Sequence, residues 1–351
     1  MVAVTLPQAC NDTPAIGPHR LGGRVVMAPM AGITDPPFRR LVRRFGAALA
    51  ASEMTTADTR LWQSRKSRQR LAFDQESGLR VVQIAGADAE PMAQAAAALE
   101  RMGADVIDIN MGCPAKKVCR KLAGSALLRD EDEVARILDA VVGAVAIPVT
   151  LKTRTGWDRD HRNIVRIARL AERTGIAALA IHGRTRACRF NGNAEFAHIA
   201  QAVDAVDIPV FANGDITTPQ KALEVLQATG AAGVMIGRAA KGAPWLFRNV
   251  QSYLQKGRVC ASLPIAEVRD IILGHLDDMY RFYGEQTGVR VARKHLIAYC
   301  ENLTDGLAFR RAVVRAESSS LQFEITRSFL CNTNWVDDSA LTTSGREYAT
   351  R

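Results

Sequence analysis

The residues best equipped for chemistry lie in one short stretch, Asp108-Ile109-Asn110-Met111-Gly112-Cys113-Pro114. It ends a β-branched apolar run (Val106, Ile107, Ile109) and breaks on Gly-Cys-Pro, which places Asn110 and Cys113 where a strand becomes a loop. A thiol has a reference pKa of about 8.5, so near neutral pH it is mostly protonated and can serve as an acid or a nucleophile. Lys116, Lys117, Arg120 and Lys121 follow with no acidic residue before Asp130, so the thiol sits beside concentrated positive charge. Taken alone, Cys113 reads better as a buried structural cysteine, the commoner fate of a free thiol. The rest of the chain reverses that reading.

The elements that must position these groups form a regular alternation. Short apolar runs recur at Val25–Ala28, Leu49–Ala51, Val81–Ile84, Val106–Ile109, Val149–Leu151, Leu179–Ile181, Val210–Ala212 and Val234–Ile236. Between them lie segments with helical spacing, among them Pro36–Phe45, Glu90–Met102, Asp132–Val142, Asn163–Thr174, Phe196–Val203 and Pro219–Thr229. Thr218-Pro219 supplies a cap followed by proline at the first helical position. Eight strand–helix units of this length predict a (β/α)8 barrel, a fold of typically about 250 residues. No G-x-G-x-x-G follows the first run, which argues against a dinucleotide-binding doubly wound sheet. In a barrel the functional face is built from the C-terminal ends of the strands. There the sequence puts Pro29-Met30-Ala31, Gln83, Asn110, Lys152, His182, Asn213-Gly214-Asp215 and Gly237-Arg238.

Composition narrows the class. The chain has 351 residues, 48% of them hydrophobic and 23% charged, as in an ordinary globular protein. No apolar run approaches the roughly 18 residues of a membrane span, and the start lacks a signal-peptide pattern, so a cytoplasmic location is expected. Seven dispersed cysteines, Cys10 included, without a C-x-x-C pair predict reduced thiols and no bound metal. The formal charge of +10 suggests a polyanionic partner. Lys116, Lys117, Arg154, Arg184 and Arg186 all follow barrel strands, so the mouth should be basic and suited to an anionic substrate. The alternation stops after Trp245, and Pro264 marks a junction. The expected organisation is an N-terminal extension at 1–23, a barrel over 24–250, a small helical domain over 264–331 and a disordered tail at 332–351.

Glycine-bearing loops after strands seven and eight, with Arg238 beside them, fit the place where barrels bind phosphate through backbone N–H groups. Gln83, Lys152 and His182 add donors suited to the pyrimidine edge of a flavin. Lys152 suits a Schiff-base aldolase equally well, and the residues alone leave both classes open.

Seven motifs together resemble one family. They are Ala28-Pro-Met-Ala-Gly-Ile-Thr-Asp35, Val82-Gln-Ile-Ala-Gly86, Asp108-Ile-Asn-Met-Gly-Cys-Pro114, Leu151-Lys-Thr-Arg-Thr-Gly-Trp157, Ile181-His-Gly-Arg-Thr-Arg186, Asn213-Gly-Asp-Ile216 and Ile236-Gly-Arg238. In this order, from residue 24 to about 315, they resemble the tRNA-dihydrouridine synthases, and within them the bacterial B-type subfamily. The resemblance implies an FMN barrel that uses NADPH to reduce a uridine of the tRNA D-loop, uridine 17 for the B type, to 5,6-dihydrouridine. Hydride would pass from the flavin to C6 and a proton from Cys113 to C5. By carry-over Pro29, Met30, Ala31, Gln83 and Lys152 would hold the isoalloxazine with His182 near it. Asn213, Gly214, Asp215, Gly237 and Arg238 would lie on the phosphate side, and Asn110 would contact the target base. Arg293, Lys294, His295 and Tyr299 match a motif of the family's tRNA-binding helical domain, with Ala298 standing where the family usually has tryptophan. A monomer is expected, and the cysteine and hydropathy patterns above predict no metal and no membrane attachment. A small-molecule flavin barrel of the dihydroorotate or dihydropyrimidine dehydrogenase type would share the barrel without needing the basic helical region.

Overall fold

The computed structural model describes residues 13–73 and 76–333. Cys10, most of the N-terminal extension and the tail from residue 334 lie outside them. The chain divides into two compact units, one running to Gly237 and including Trp245–Val259, the other made of Arg238–Pro244 and the residues from Cys260 onward.

The first unit opens with a hairpin of β1 (Ala15–Ile16) and β2 (His19–Arg20), turned at Gly17 in the left-handed region (φ 55°). A Cβ at Gly17 would sit 2.6 Å from Pro148 Cγ, so only glycine fits this turn. The hairpin has no counterpart in the sequence pattern, because two-residue strands carry no periodicity. Then follow β3 (Val25–Met27), β4 (Thr55–Thr56), β5 (Val81–Ala85), β6 (Val106–Met111), β7 (Val149–Arg154), β8 (Ala178–His182), β9 (Val210–Asn213) and β10 (Gly233–Ile236). They form one parallel sheet in the order β3-β10-β9-β8-β7-β6-β5-β4.

Residues 49–51, expected as a full second strand, make only single bridges, Ala50 to Met27 and Ala51 to Val81. These bridges nonetheless join β3 back to β5 and close the barrel. Past them the chain pairs again as β4, where Thr55 and Thr56 lie against Ile84 and Ala85. The helices on the outside show why the pattern is readable. In α3 (Ala89–Arg101) the buried residues are Met92, Ala95, Ala96 and Leu99, and in α5 (Glu131–Gly143) they are Val134, Ile137, Leu138 and Val141. Each set follows the three- and four-residue spacing of one helix face. The other outer helices are α1 (Pro36–Arg44), α6 (Ile164–Arg173), α7 (Ala197–Val203), α8 (Pro219–Thr229) and α9 (Leu246–Lys256). Thr218 caps α8 by accepting from Lys221 N at 3.1 Å. The short helices α2 (Arg65–Arg70) and α4 (Lys116–Cys119) carry runs of basic residues, α4 in the stretch expected as a loop after the fourth strand.

The barrel interior is filled by Val26, Ala28, Leu49, Ala51, Val81, Val106, Ala178, Ala180, Phe211 and Met235, and Ile16 and Leu21 of the hairpin region pack into the same cluster. The hairpin therefore plugs the barrel floor.

The second unit contains α10 (Ile265–Tyr283), α11 (Glu285–Cys300), α12 (Gly306–Val313) and α13 (Ser319–Cys331). No helix among the described residues is long and apolar enough to cross a membrane.

Candidate active site

Parallel register sets the levels of the site. Gln83 pairs with Asp108 and Asp108 with Thr150, while Asn110 pairs with Lys152 one level higher. Because side chains two apart share a face, Asp108 with Asn110, and Thr150 with Lys152, all point inward. Gln83 is buried and joins the two levels, donating from Nε2 to Asp108 Oδ2 at 2.6 Å and accepting at Oε1 from Asn110 Nδ2 at 2.8 Å. Asn110 Oδ1 in turn accepts from the backbone N–H of Gly112 (3.1 Å) and of Cys113 (2.9 Å). The thiol loop thus hangs on Asn110.

Its far side is held by Ser125, whose hydroxyl donates to the Cys113 carbonyl at 2.8 Å. Gly124 has φ 63°, and a Cβ there would lie 3.0 Å from that carbonyl oxygen. Burial pushes the half-buried Cys113 thiol above its ordinary value, so it keeps its proton through neutral pH. The same loss of water lowers Lys152 to about 8, with Arg154 adding repulsion and Asp108 opposing it. Lys152 Nζ donates to Asn213 Oδ1 at 3.2 Å, and Asn213 Nδ2 donates to the Met235 carbonyl at 2.7 Å. Asp108 itself is pushed up to about 6 by burial, against the pull of Thr150, Gln83 and Lys152.

At the next strand ends His182 is buried, with Phe190 6.2 Å away between ring centroids and Arg184 Nη1 3.4 Å from its Nε2. Pro29, Met30 and Ala31 form the turn after β3, where Met30 N–H donates to Thr34 Oγ1 at 2.9 Å. The Gly32 N–H donates to Glu53, a buried carboxylate just past the second apolar run, among the polar groups at the strand ends. Gly214 follows β9 and Gly237 follows β10, and Arg238 opens the next helical turn, Arg238–Ala240.

Burial gives several of the expected ligand residues partners within the protein. Arg154 is 2% exposed and donates to the carbonyls of Gly112 (2.7 Å), Thr185 (3.0 Å) and Arg189 (2.8 Å), so its guanidinium ties two loops together instead of facing an external anion. Arg184 is 3% exposed and forks onto Asp215, Nη1 to Oδ1 at 2.9 Å and Nη2 to Oδ2 at 2.7 Å. Asp215 also accepts from Ala194 N at 2.8 Å, so its carboxylate organises the loop that follows β9. In the helical unit His295 and Tyr299 are fully buried, with His275 4.7 Å from His295 between ring centroids and 3.1 Å from the Tyr299 hydroxyl. Burial holds His295 well below its usual value, so its ring is packed uncharged inside the helical unit instead of standing on a charged surface. Ala298 is buried in the same helix.

Other basic residues remain accessible. Lys116, Lys117, Arg120 and Lys121 are exposed on and after α4, Lys294 is exposed on α11, and Arg293 is half-buried with Nη2 on the Ala316 carbonyl. Arg186 lies 4.3 Å over the Trp157 ring, with Arg129 5.1 Å from the same ring.

Comparison with known proteins sets this geometry in a family. The dihydrouridine synthase family model matches residues 26–332. The chain belongs to the dihydrouridine synthase family, and it is an enzyme of that family. It is 55% identical to tRNA-dihydrouridine synthase B of Pseudomonas aeruginosa over 314 residues, which cover 90% of this chain and 95% of that one. It is 51% identical to the protein of the same name from Vibrio cholerae, covering 90% of this chain and 98% of the other. Histamine dehydrogenase from Rhizobium sp. 4-9 shares the fold, with a TM-score of 0.55 at 13% identity over 77% of this chain and 51% of that larger one. The family's matched range contains the full Gln83–Asn110–Cys113 arrangement and the helical unit as far as Asn332.

Proposed function

We propose that this enzyme is a tRNA-dihydrouridine synthase of the B type, reducing the C5=C6 bond of a D-loop uridine, uridine 17, with FMN as cofactor and NADPH as reductant. The observation that carries the reading is a protonated, half-buried thiol hung on Asn110 at the mouth of a barrel that is also lined by Lys152, Gln83 and His182.

The donor set fits a flavin mononucleotide. Lys152 Nζ, and the one Gln83 N–H that is not given to Asp108, offer hydrogen bonds to a pyrimidine-like edge, with Pro29, Met30 and Ala31 at one side and His182 at another. Backbone at Asn213, Gly214 and Gly237, with the charge of Arg238, suits a phosphate. When bound, FMN supplies hydride. Uracil's C5=C6 bond is conjugated to its C4 carbonyl, so hydride arriving at C6 leaves negative charge on C5 and O4. Cys113 then gives its proton to C5, and its raised thiol pKa keeps that proton available. Asn110 contacts the base while its oxygen holds the loop N–H groups. The base must leave the tRNA fold to reach these residues, costing a few kcal/mol that contacts to the RNA backbone offset. Lys116, Lys117 and Arg186 on the barrel, and Arg293 and Lys294 on the helical unit, are the cations proposed to make them. Recognition by shape and charge suits folded RNA. The location is cytoplasmic and the protein a monomer.

The first test is a flavin absorption spectrum of the purified protein, followed by NADPH oxidation on adding D-loop-containing tRNA. A colourless protein that binds no FMN on titration sinks the proposal. Arg238→Ala should lose FMN on dialysis while remaining folded, because a hydrogen bond to a charged group contributes roughly 1.5–3 kcal/mol. Unchanged FMN affinity would remove Arg238 from the phosphate site. Neutralising Arg293 and Lys294 together should weaken tRNA binding and flatten its dependence on salt, by about 0.9 in log–log slope for each phosphate no longer neutralised. Equal affinity to the parent at several salt concentrations would exclude the helical unit as the tRNA grip.

A further inference from the structure

Asp108 brings to the barrel interior a buried carboxyl that the proposed reaction does not use. Its Oδ1 accepts from Thr150 Oγ1 at 2.7 Å and its Oδ2 from Gln83 Nε2 at 2.6 Å. From Gln83 the chain of hydrogen bonds continues to Asn110 and ends on the backbone N–H groups of Gly112 and Cys113.

The direction of this chain is fixed from both ends. Backbone N–H groups only donate, so the Asn110 oxygen must face the loop and its Nδ2 must face Gln83. Gln83 must then turn its oxygen toward Asn110 and its Nε2 inward. The group that receives Nε2 has to be an acceptor, and an ionised carboxylate is an acceptor at every lone pair. We infer that Asp108 is the positioning residue of the thiol loop, its carboxylate setting the polarity of the Thr150–Asp108–Gln83–Asn110 relay that holds Cys113. An apolar residue at this position would leave Gln83 free to present either end to Asn110. Asn110 would then release the loop in part of the population.

The inference deepens the reading of Cys113 as the proton donor and rests on it for its catalytic meaning, but its geometry can be tested without turnover. The measurement is the rate at which iodoacetamide alkylates Cys113 in the intact chain, read by peptide mass spectrometry relative to the exposed Cys331 on α13. Asp108→Ala should raise the ratio of the two rates about tenfold, the effect expected from losing roughly 1.4 kcal/mol of hydrogen-bonded order in the loop. Asp108→Asn should stay within about threefold of the parent. Its oxygen can still accept from Gln83, while its Nδ2 donates to Thr150 and the Thr150 hydroxyl turns to the Ile107 carbonyl, 3.4 Å away.

Polarity makes a sharper demand. Thr150→Val alone should leave the ratio near the parent's, but Asp108→Asn combined with Thr150→Val should behave like Asp108→Ala, because the new amide then has no acceptor. An unchanged ratio in Asp108→Ala, or equal ratios for Asp108→Asn with and without Thr150, overturns the inference. If Asp108→Ala does not fold, the Asn pair decides alone. Full turnover in Cys113→Ala would refute the proton-donor reading and leave the alkylation result standing.

Discussion

In Cys113→Ala, FMN binding and flavin reduction by NADPH should stay nearly normal, while reoxidation of the reduced flavin by tRNA slows by roughly 100- to 10,000-fold, the range for losing a positioned acid. The thiol is held by Asn110 on one side and Ser125 on the other and keeps its proton because it is half-buried. Neither FMN binding nor reduction requires that proton. Cys119 gives an internal control, since its thiol is buried 3.6 Å from the Cys113 carbonyl, so Cys119→Ala should change little. Anaerobic stopped-flow measurement separates the two half-reactions. In the parent the oxidative rate should be flat across neutral pH and fall only on the alkaline side of an ordinary thiol pKa, because the acid form is the active one and burial moves its loss upward. Reoxidation of Cys113→Ala at the parent rate would take the acid role away from this residue.

Arg154→Ala should destabilise the enzyme on the order of 3 kcal/mol without altering the salt dependence of tRNA binding. The guanidinium is buried and satisfies three loop carbonyls, and each hydrogen bond to a charged donor is worth about 1.5–3 kcal/mol, part of which water recovers when the side chain is removed. In a unit of this size the thermal midpoint should fall by roughly 5–10 °C. Arg154→Lys should recover little, since one ammonium cannot reproduce the fork that spans the Gly112 loop and the Thr185–Arg189 loop. Were Arg154 instead a phosphate contact, its removal would lower the salt slope by about 0.9 and leave stability unchanged, so calorimetry and binding isotherms at several salt concentrations discriminate the two.

Sequence position puts Arg154 and Arg184 just past barrel strands, and nearness to the mouth makes both look like ligands for an anion. Both are buried against partners within the protein, and sequence carries no record of which carbonyls or carboxylates an arginine meets across distant loops. Asp215 shows the converse, since its match to a phosphate-side motif gives no hint of its fork with Arg184. The barrel is legible because buried parallel strands read as apolar β-branched runs and the outer helices keep one apolar stripe. Ala50 and Ala51 are harder, because a stave of one bridge on each side has no periodic signature. Asp108 is legible in principle. It lies two residues before Asn110 on a strand, and the period of two puts both on the same face. Thr150 stands in the same relation to Lys152. Strand alternation applied to each recognised site residue leads to the lower level of the site.

The hairpin that plugs the barrel floor bears on how the chain acquires its fold. Ile16 and Leu21 precede every strand of the barrel, yet the cluster they complete includes Phe211 and Met235 on the last two strands. Their burial therefore waits until nearly the whole barrel has been made, and the loop closed by this packing is among the longest in the chain. Contacts of such high sequence separation slow folding, since loop-closure entropy is lost before packing compensates it. Sealing of the floor should therefore be a late, cooperative event that coincides with closure of β3 onto β10.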